Sequence, residues 1–205
     1  MIKKILITGF EPFGGETINP SLEAVMSLPG QIDGVAIKKM SLPVVFGKSA
    51  DVLRAALDAE EFDAVISIGQ AGGKAGINIE RIAINIDDTK SPDSEGNTPK
   101  DAPICPESPA AYFATLPIKK IVSNLIDAGI PAVVSNTAGT YVCNHIMYTA
   151  LHHAAQNRPQ MKAGFVHIPY LPAQTLDKNN APSMSLDNLI EGLTIIAKTI
   201  IAEQS

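Results

Sequence analysis

Cys143 is the residue in this sequence best placed to act as a nucleophile. The residues around it predict a helix over Val142–Asn157, which puts the thiol in the first turn. The start of a helix carries partial positive charge and free N–H groups, which favour a thiolate and can also bind an oxyanion. The alternative is an inert, buried cysteine. The other cysteine, Cys105, lies among prolines with no helix behind it, so we interpret it as structural or incidental.

A nucleophilic thiol needs a base, and the chain has four histidines. His145 lies two positions after Cys143, so a helix would turn the two side chains away from each other. His152 and His153 lie further along the same helix, where they suggest a solvated or intersubunit face. His167 lies at the end of an apolar strand and is the best base by elimination. Without a cysteine partner, it would be read as a core histidine.

Glu80 is the candidate for orienting the imidazole of His167. Apolar residues alternate over residues 77–87, and the alternation changes phase beside Glu80, so we expect either a bulge there or two strands that meet. A carboxylate in an apolar strand needs a partner. That partner is either the adjacent Arg81 or another base, in a structural ion pair, or it is His167, in a relay with Cys143.

Strands alternate with helices along the chain, which predicts an α/β fold. We expect one three-layer α/β/α domain, residues 1–205, around a twisted and largely parallel sheet. Ligands bind beyond the carboxyl ends of such strands, so two phenylalanines, an amide, a thiol and an imidazole should meet at one edge. The predicted strands are residues 5–7, 35–40, 63–69, 132–135 and 164–168, besides the segment 77–87, and the helices begin near residues 20, 49, 115, 142 and 183 or 185.

Capping residues mark several of these helix boundaries. Asn19, followed by a proline, predicts a helix start, and Thr115 is expected to cap a helix that ends at Gly129. Ser183 or Ser185 is expected to open the last helix. Residues 88–110 contain five prolines and little apolar pattern, which is typical of a lid, a binding loop or a subunit contact.

The composition argues against several other classes of protein. The net charge of −5 disfavours nucleic acid or an anionic membrane as a partner. We find no apolar run long enough to span a membrane and no signal peptide, and two cysteines without a CxxC motif favour the cytoplasm. The glycine-rich turn at residues 69–74 fits neither common phosphate-binding motif, and no HExxH motif predicts a metal.

Five segments together resemble pyroglutamyl peptidase I, a family of cytosolic cysteine exopeptidases. The resemblance extends from about residue 1 to the C-terminal helix, and the segments match in order and spacing. They are residues 9–15 (GFEPFGG), 69–73 (GQAGG), 80–85 (ERIAIN) with the following Asp88, Pro92 and Asp93, 135–145 (SNTAGTYVCNH) and 164–169 (GFVHIP).

The resemblance implies a catalytic triad of Glu80, Cys143 and His167, the same residues that the chemistry singles out. It also implies a single α/β/α domain with no metal or organic cofactor. Many members of the family have arginine where this chain has Lys90, which keeps the charge but loses the planar fork of guanidinium donors. We therefore leave Lys90 out of the catalytic set.

The resemblance further implies a substrate pocket for a pyroglutamyl residue. Phe10 and Phe13 would form it, with Gln70 and Val142 nearby and Asn19 bracing the loop. Two rings can cover the faces of this flat, uncharged lactam, while polar groups meet its N–H and C=O. A free N-terminal amine would be desolvated there without a partner, so ordinary peptides should be rejected.

The resemblance thus predicts a cytoplasmic thiol exopeptidase that acts on pyroglutamyl peptides. The family implies a homo-oligomer, and for bacterial members often a tetramer. Two rival functions stand beside it. One is a non-catalytic small-molecule-binding protein on the same fold, and the other is a different thiol hydrolase for small acyl groups.

Overall fold

Nine strands and five helices are distributed along residues 2–203, the part of the chain that this computed structural model describes. Residues 1 and 204–205, the ends of the predicted domain, lie outside it. The strands are β1 (Lys4–Phe10), β2 (Gln31–Ile32), β3 (Val35–Leu42), β4 (Ala64–Gln70), β5 (Ile77–Glu80), β6 (Ile82–Ile84), β7 (Ala111–Phe113), β8 (Ala132–Ser135) and β9 (Lys162–Ile168). The helices are α1 (Pro20–Ser27), α2 (Lys48–Ala59), α3 (Ile118–Asp127), α4 (Val142–Asn157) and α5 (Leu186–Ala202).

Seven of these strands form one sheet in the order β2-β3-β1-β4-β9-β5-β8. The neighbours β3, β1, β4 and β9 all run parallel. Strands β5 and β8 are parallel to each other, but β5 is antiparallel to β9. Strands β6 and β7 form a separate antiparallel pair. The predicted α/β class with a mostly parallel sheet is confirmed.

Helices cover both faces of the sheet, because its strands bury side chains on alternate sides. Ile5 and Ile7 pack in the core shared with α1, α3 and α5, whereas Leu6 packs in the core shared with α2 and α4. The same alternation places Phe165 on the side of α4 and Val166 on the opposite side. This rule assigns Asn78 and Glu80 of β5 and His167 of β9 to the side of α4.

The helix ends agree with most of the capping predictions. The side chain of Asn19 accepts a hydrogen bond from the Ser21 N–H at 3.0 Å, and Ser185, the second of the two candidates, caps α5. Gly129 follows α3 with a φ of 79°, a conformation that suits glycine. The prediction for Thr115 is wrong: its hydroxyl pairs with the backbone of Ala163 in β9, and α3 begins after it without a side-chain cap.

The prediction that the segment after residues 132–135 leaves at the same sheet edge as the other loops is also wrong. Because β8 runs parallel to β5, its carboxyl end points away from those of β1, β4 and β9. Residues 136–141 bring the chain to α4, whose Cys143 lies beside Gly69 near the carboxyl end of β4. The thiol therefore reaches the expected edge by a loop and not by a strand end.

The phase change near Glu80 is explained by two strands that meet. Strand β5 ends at Glu80 in the main sheet, and β6 begins at Ile82 and pairs with β7. The periodicity did not reveal β2 or β7, which have two and three residues. Residues 88–110 form no helix or strand, although Asp87 and Ala102 make an isolated bridge. None of the helices within residues 2–203 is long and apolar enough to cross a membrane.

Gly9 shows how tightly α1 packs on the sheet, and it provides a test of the fold. A Cβ atom there would lie 2.7 Å from the carbonyl oxygen of Ser21, a backbone atom that cannot move aside. We expect Gly9→Ala to lower the free energy of unfolding by about 1–3 kcal/mol in urea denaturation. Gly30→Ala is the matched control, because no atom lies within 4 Å of the added methyl group. Equal stability of the two variants would contradict this packing.

Candidate active site

Glu80 and His167 form a buried pair between the antiparallel strands β5 and β9. His167 lies opposite Asn78, and Glu80 follows two residues later on the same face. Its Oε1 lies 2.8 Å from Nδ1 of His167, and only 2% of Glu80 is exposed. The alternative partner, Arg81, instead donates to Asn136 Oδ1 at 2.7 Å. Of the two partners considered for Glu80, the geometry favours His167.

Cys143 lies in the first turn of α4, over the end of β4. The residue before the helix, Tyr141, makes no side-chain capping hydrogen bond, so its side chain does not occupy the first N–H groups of α4. A Cβ atom at Gly69 would lie 3.0 Å from Sγ of Cys143 and 2.7 Å from the ring of Phe165. Glycine is required at this position because the thiol and the aromatic ring occupy the space of a side chain.

The pKa of His167 reflects its two neighbours. Burial alone would lower the pKa, because it disfavours the charged ring. The charge of the Cys143 thiolate and a hydrogen bond to it act in the opposite direction, as do the hydrogen bond and the charge of Glu80. Together they raise the pKa of His167 to about 9. At neutral pH the ring is therefore an imidazolium, with Cys143 on one side and Glu80 on the other.

A small pocket opens beside the thiol, with a volume of about 50 Å³. Aromatic and apolar side chains make up most of its wall, with two amides among them. Its lining contains Cys143 and all five residues predicted for the substrate, Phe10, Phe13, Asn19, Gln70 and Val142, and also Val44 and Tyr141. The structure thus brings the predicted set together around one cavity. Sequence reasoning missed Val44, which follows β3 in a segment without a recognisable motif.

Hydrogen bonds fix the two amide side chains of the pocket. Asn19 donates to the Glu11 carbonyl at 3.0 Å while its oxygen caps α1, so it joins the loop after β1 to the helix. Gln70 accepts a hydrogen bond from Nε2 of Gln174 at 2.9 Å. Gln174 is itself buried and was not predicted as a site residue. With its oxygen engaged in this way, Gln70 keeps its NH₂ group available for a ligand.

Comparison with known proteins identifies the family. The family model described as "Pyroglutamyl peptidase" matches residues 3–203. A pyrrolidone-carboxylate peptidase of Thermosipho africanus is 55% identical over 200 residues, which cover 98% of each chain. One from Alkaliphilus oremlandii is 54% identical and covers 94% of this chain and 90% of its own. The chain belongs to the pyroglutamyl peptidase family.

Solved structures of the family agree with this fold. Pyroglutamyl peptidase I of Bacillus amyloliquefaciens superposes with a TM-score of 0.94 at 49% identity, covering 98% of this chain and 95% of its own. A mutant pyrrolidone carboxyl peptidase of Pyrococcus furiosus gives a TM-score of 0.95 at 44% identity, covering 98% of this chain and 100% of its own. Since the family members are peptidases, the chain is a hydrolase.

Asn144, next to the thiol, is a site residue that sequence reasoning missed. Its side chain accepts from the Ile84 N–H at 3.0 Å and donates to the carbonyls of Ile84 and Ile86 at 2.9 and 3.0 Å. These bonds join the start of α4 to the strand that follows Glu80. Asn144 therefore fixes the thiol relative to the carboxylate. The available signals were its position directly after Cys143 and its place in the segment 135–145 that resembles the family.

The other histidines of α4 have separate roles. His145 points away from the thiol, as predicted, and its Nδ1 lies 2.7 Å from the buried Asp87 carboxylate. Of the two alternatives predicted for His152 and His153, a solvated face does not fit the structure, and an intersubunit face stays a prediction. His153 is 7% exposed, and His152 is partly buried beside Tyr112. The loop that carries Cys105 and the residues of β7 cover this side of the helix.

A second, larger cavity of about 790 Å³ shares Phe13 and Tyr141 with the small pocket. Residues 88–94 line most of it, including the exposed Lys90. Asp93 holds this segment in place, because its carboxylate accepts from the backbone N–H groups of Phe46, Glu95 and Asn97. The predicted proline-rich loop thus forms a wall beside the small pocket.

The raised pKa of His167 provides a direct test of the coupling to Cys143. We expect Cys143→Ser to lower the pKa of the imidazole from about 9, because the thiolate charge and its hydrogen bond are lost while burial remains. Imidazole NMR signals followed across pH 5–10 would measure the change, with Cys105→Ser as the control. An unchanged His167 pKa in Cys143→Ser would contradict the coupling.

Proposed function

We propose that this peptidase removes an N-terminal pyroglutamyl residue from peptides, with Cys143 as nucleophile, His167 as acid and base, and Glu80 as the group that orients His167. The observation that carries the proposal is the small pocket in which all five predicted substrate residues surround the thiol. Family membership over residues 3–203 supports the same substrate. We also propose that the chain works as one peptidase domain.

The geometry supports a thiolate mechanism. The Cys143 thiolate attacks the carbonyl carbon that joins the pyroglutamyl ring to the peptide, and N–H groups at the start of α4 bind the resulting oxyanion. The imidazolium of His167 gives its proton to the leaving amine, and the C–N bond breaks. His167 then takes a proton from water, whose oxygen attacks the thioester. Pyroglutamate leaves, and the thiolate and imidazolium are restored.

The pocket explains why a lactam would be selected. Phe10 and Phe13 provide apolar surface for the flat ring, and Val142 is fully buried beside them. Gln174 occupies the oxygen of Gln70, so the Gln70 NH₂ group is left to donate to the lactam carbonyl. Among residues 2–203, those that line this pocket include no carboxylate, so a free N-terminal ammonium would lose its hydration without gaining a counterion.

Hydrolysis of pyroglutamyl-aminomethylcoumarin tests the function directly. We expect release of the fluorescent amine by the wild type but not from the prolyl or free glutamyl analogues, because only the lactam fits the pocket. Cys143→Ala should abolish turnover, and Cys105→Ser, which removes the other thiol, should retain it. Activity on a simple ester alone would favour another thiol hydrolase, and binding of the lactam without turnover would favour the non-catalytic function.

The role of Glu80 predicts a different kinetic signature. Glu80→Gln preserves shape but removes a charge that raises the pKa of His167, so the pKa of the imidazole should fall. We expect the alkaline limb of the pH profile of kcat/KM to move to lower pH. The loss of kcat in Glu80→Gln should be roughly a hundredfold smaller than the loss of kcat in Cys143→Ala. An unshifted pH profile with reduced activity would indicate a merely structural carboxylate.

We further propose that the enzyme acts in the cytoplasm as a homo-oligomer, the tetramer implied by the family resemblance. Several large apolar side chains are more than half exposed and could be buried by such an assembly. They are Phe113, Ile126, Val133 and Leu176.

A further inference from the structure

The side of α4 remote from the active site carries a second cluster of chemically active groups around Cys105. Its thiol is partly exposed and opens onto a cavity of about 250 Å³. His152 also lines this cavity, nine residues after Cys143 on α4, which corresponds to about 14 Å along the helix axis. The cluster is therefore separate from the catalytic thiol.

Polar contacts set the environment of the Cys105 sulfur. The Ser108 hydroxyl donates to Sγ at 3.0 Å, and Nε2 of His152 lies 3.7 Å from Sγ. The other ring nitrogen, Nδ1, lies 3.0 Å from the Tyr112 hydroxyl. When Nδ1 donates to that hydroxyl, Nε2 is free to take the thiol proton. A cysteine that only fills space would not need a base and a hydroxyl donor.

The backbone of Cys105 is held firmly, so these contacts are well defined. Its N–H donates to Oδ1 of Asn85 at 2.8 Å, and Nδ2 of Asn85 donates to its carbonyl at 2.8 Å. This two-bond clamp leaves few positions for the thiol. The sulfur is thus presented at the cavity and is not a mobile group on a free loop.

His153 lines the cavity, but its Nε2 atom is buried and does not open onto it. His153 is 7% exposed, and its Nε2 has no hydrogen-bond partner within residues 2–203. Nδ1 of the same ring faces the Nδ2 donor of Asn157 at 3.4 Å, so Nδ1 accepts and Nε2 carries the proton. Burial lowers the pKa of His153, which keeps the ring neutral with this single N–H.

Arg54 of α2 adds positive charge to the same wall. One of its terminal nitrogens pairs with Asp51 at 2.7 Å, which leaves further guanidinium donors. The cavity therefore combines a thiol that has a base with a guanidinium group that can donate to a carboxylate. A small molecule with carboxylates and a sulfur electrophile matches these features.

We propose that Cys105 is a second reactive thiol and a site of mixed-disulfide formation with small disulfides that carry carboxylate groups. His152 takes the thiol proton, and the Cys105 sulfur attacks one sulfur of the disulfide. The S–S bond of the small molecule breaks, a new S–S bond forms to Cys105, and the second half leaves as a thiolate that takes a proton. This assignment replaces the interpretation of Cys105 as structural or incidental.

Oxidised glutathione and cystamine, which lacks carboxylates, provide matched probes of this site. The experiment uses Cys143→Ser, in which Cys105 is the one remaining cysteine, and follows the addition of one half-disulfide by intact mass. We expect oxidised glutathione to modify the folded protein at least about tenfold faster than the urea-unfolded chain, because only the folded state has the base. A folded rate equal to or below the unfolded rate would overturn the proposal.

Two further variants in the Cys143→Ser background separate the contributions. His152→Gln should lower the rate of modification by oxidised glutathione to that of the unfolded chain, and circular dichroism checks that this variant is folded. If His152→Gln does not fold, Ser108→Ala replaces it and should slow the modification severalfold. Arg54→Met should slow oxidised glutathione severalfold and leave cystamine unchanged. Equal effects on the two probes would refute carboxylate recognition, and unaltered rates in both His152→Gln and Ser108→Ala would refute activation of the thiol.

Discussion

The buried carboxylate of Glu80 is the constraint on which the arrangement of this site depends. A carboxylate that is 2% exposed strongly destabilises the fold unless a positively charged group pairs with it. Within residues 2–203, the side chain that pairs with Glu80 is His167. His167 is itself buried, and burial opposes its charge. The pKa of His167 is nevertheless raised, because Cys143 and Glu80 interact with the ring from opposite sides. The buried ring and the buried carboxylate thus stabilise each other.

The pairing of Glu80 with His167 explains the irregular part of the sheet. A strand parallel to β9 would approach His167 from the other direction, whereas the antiparallel β5 brings Glu80 to it two residues after the pairing at Asn78. The chain then leaves the main sheet, and β6 passes to the small sheet under α4. There Asn144 binds its backbone, so the carboxylate and the thiol are held by one continuous segment. The departure from a fully parallel sheet serves the site.

The sequence contained the local signals of this fold but not its long-range pairing. Asn19 and Ser185 cap helices because a side chain and an N–H two or three residues away suffice to define the cap. The direction of β8 depends on which strand it joins, and a strand of four residues, three of them apolar, carries no information about that choice. Thr115 is a residue type that caps helices, but its hydroxyl binds the backbone of β9 instead.

Chemistry identified the residues of the proposed triad, because few residue types can serve as nucleophile, base and orienting acid. Val44, Asn144 and Gln174 join the site through contacts distant in sequence.

The histidines beside the two thiols of the chain differ in the group that is hydrogen-bonded to Nδ1. His167 is backed by a carboxylate, which holds the ring as an imidazolium and keeps a proton ready for a leaving amine. His152 is backed by the hydroxyl of Tyr112, a neutral group that orients the ring without stabilising its charge. Cys143 also lies at the start of α4, whose N–H groups can bind an oxyanion, whereas Cys105 lies in a loop. The first environment provides for acyl transfer, which must protonate a poor leaving group. The second suits only exchange at sulfur, where the leaving thiolate needs neither an acid nor an oxyanion site.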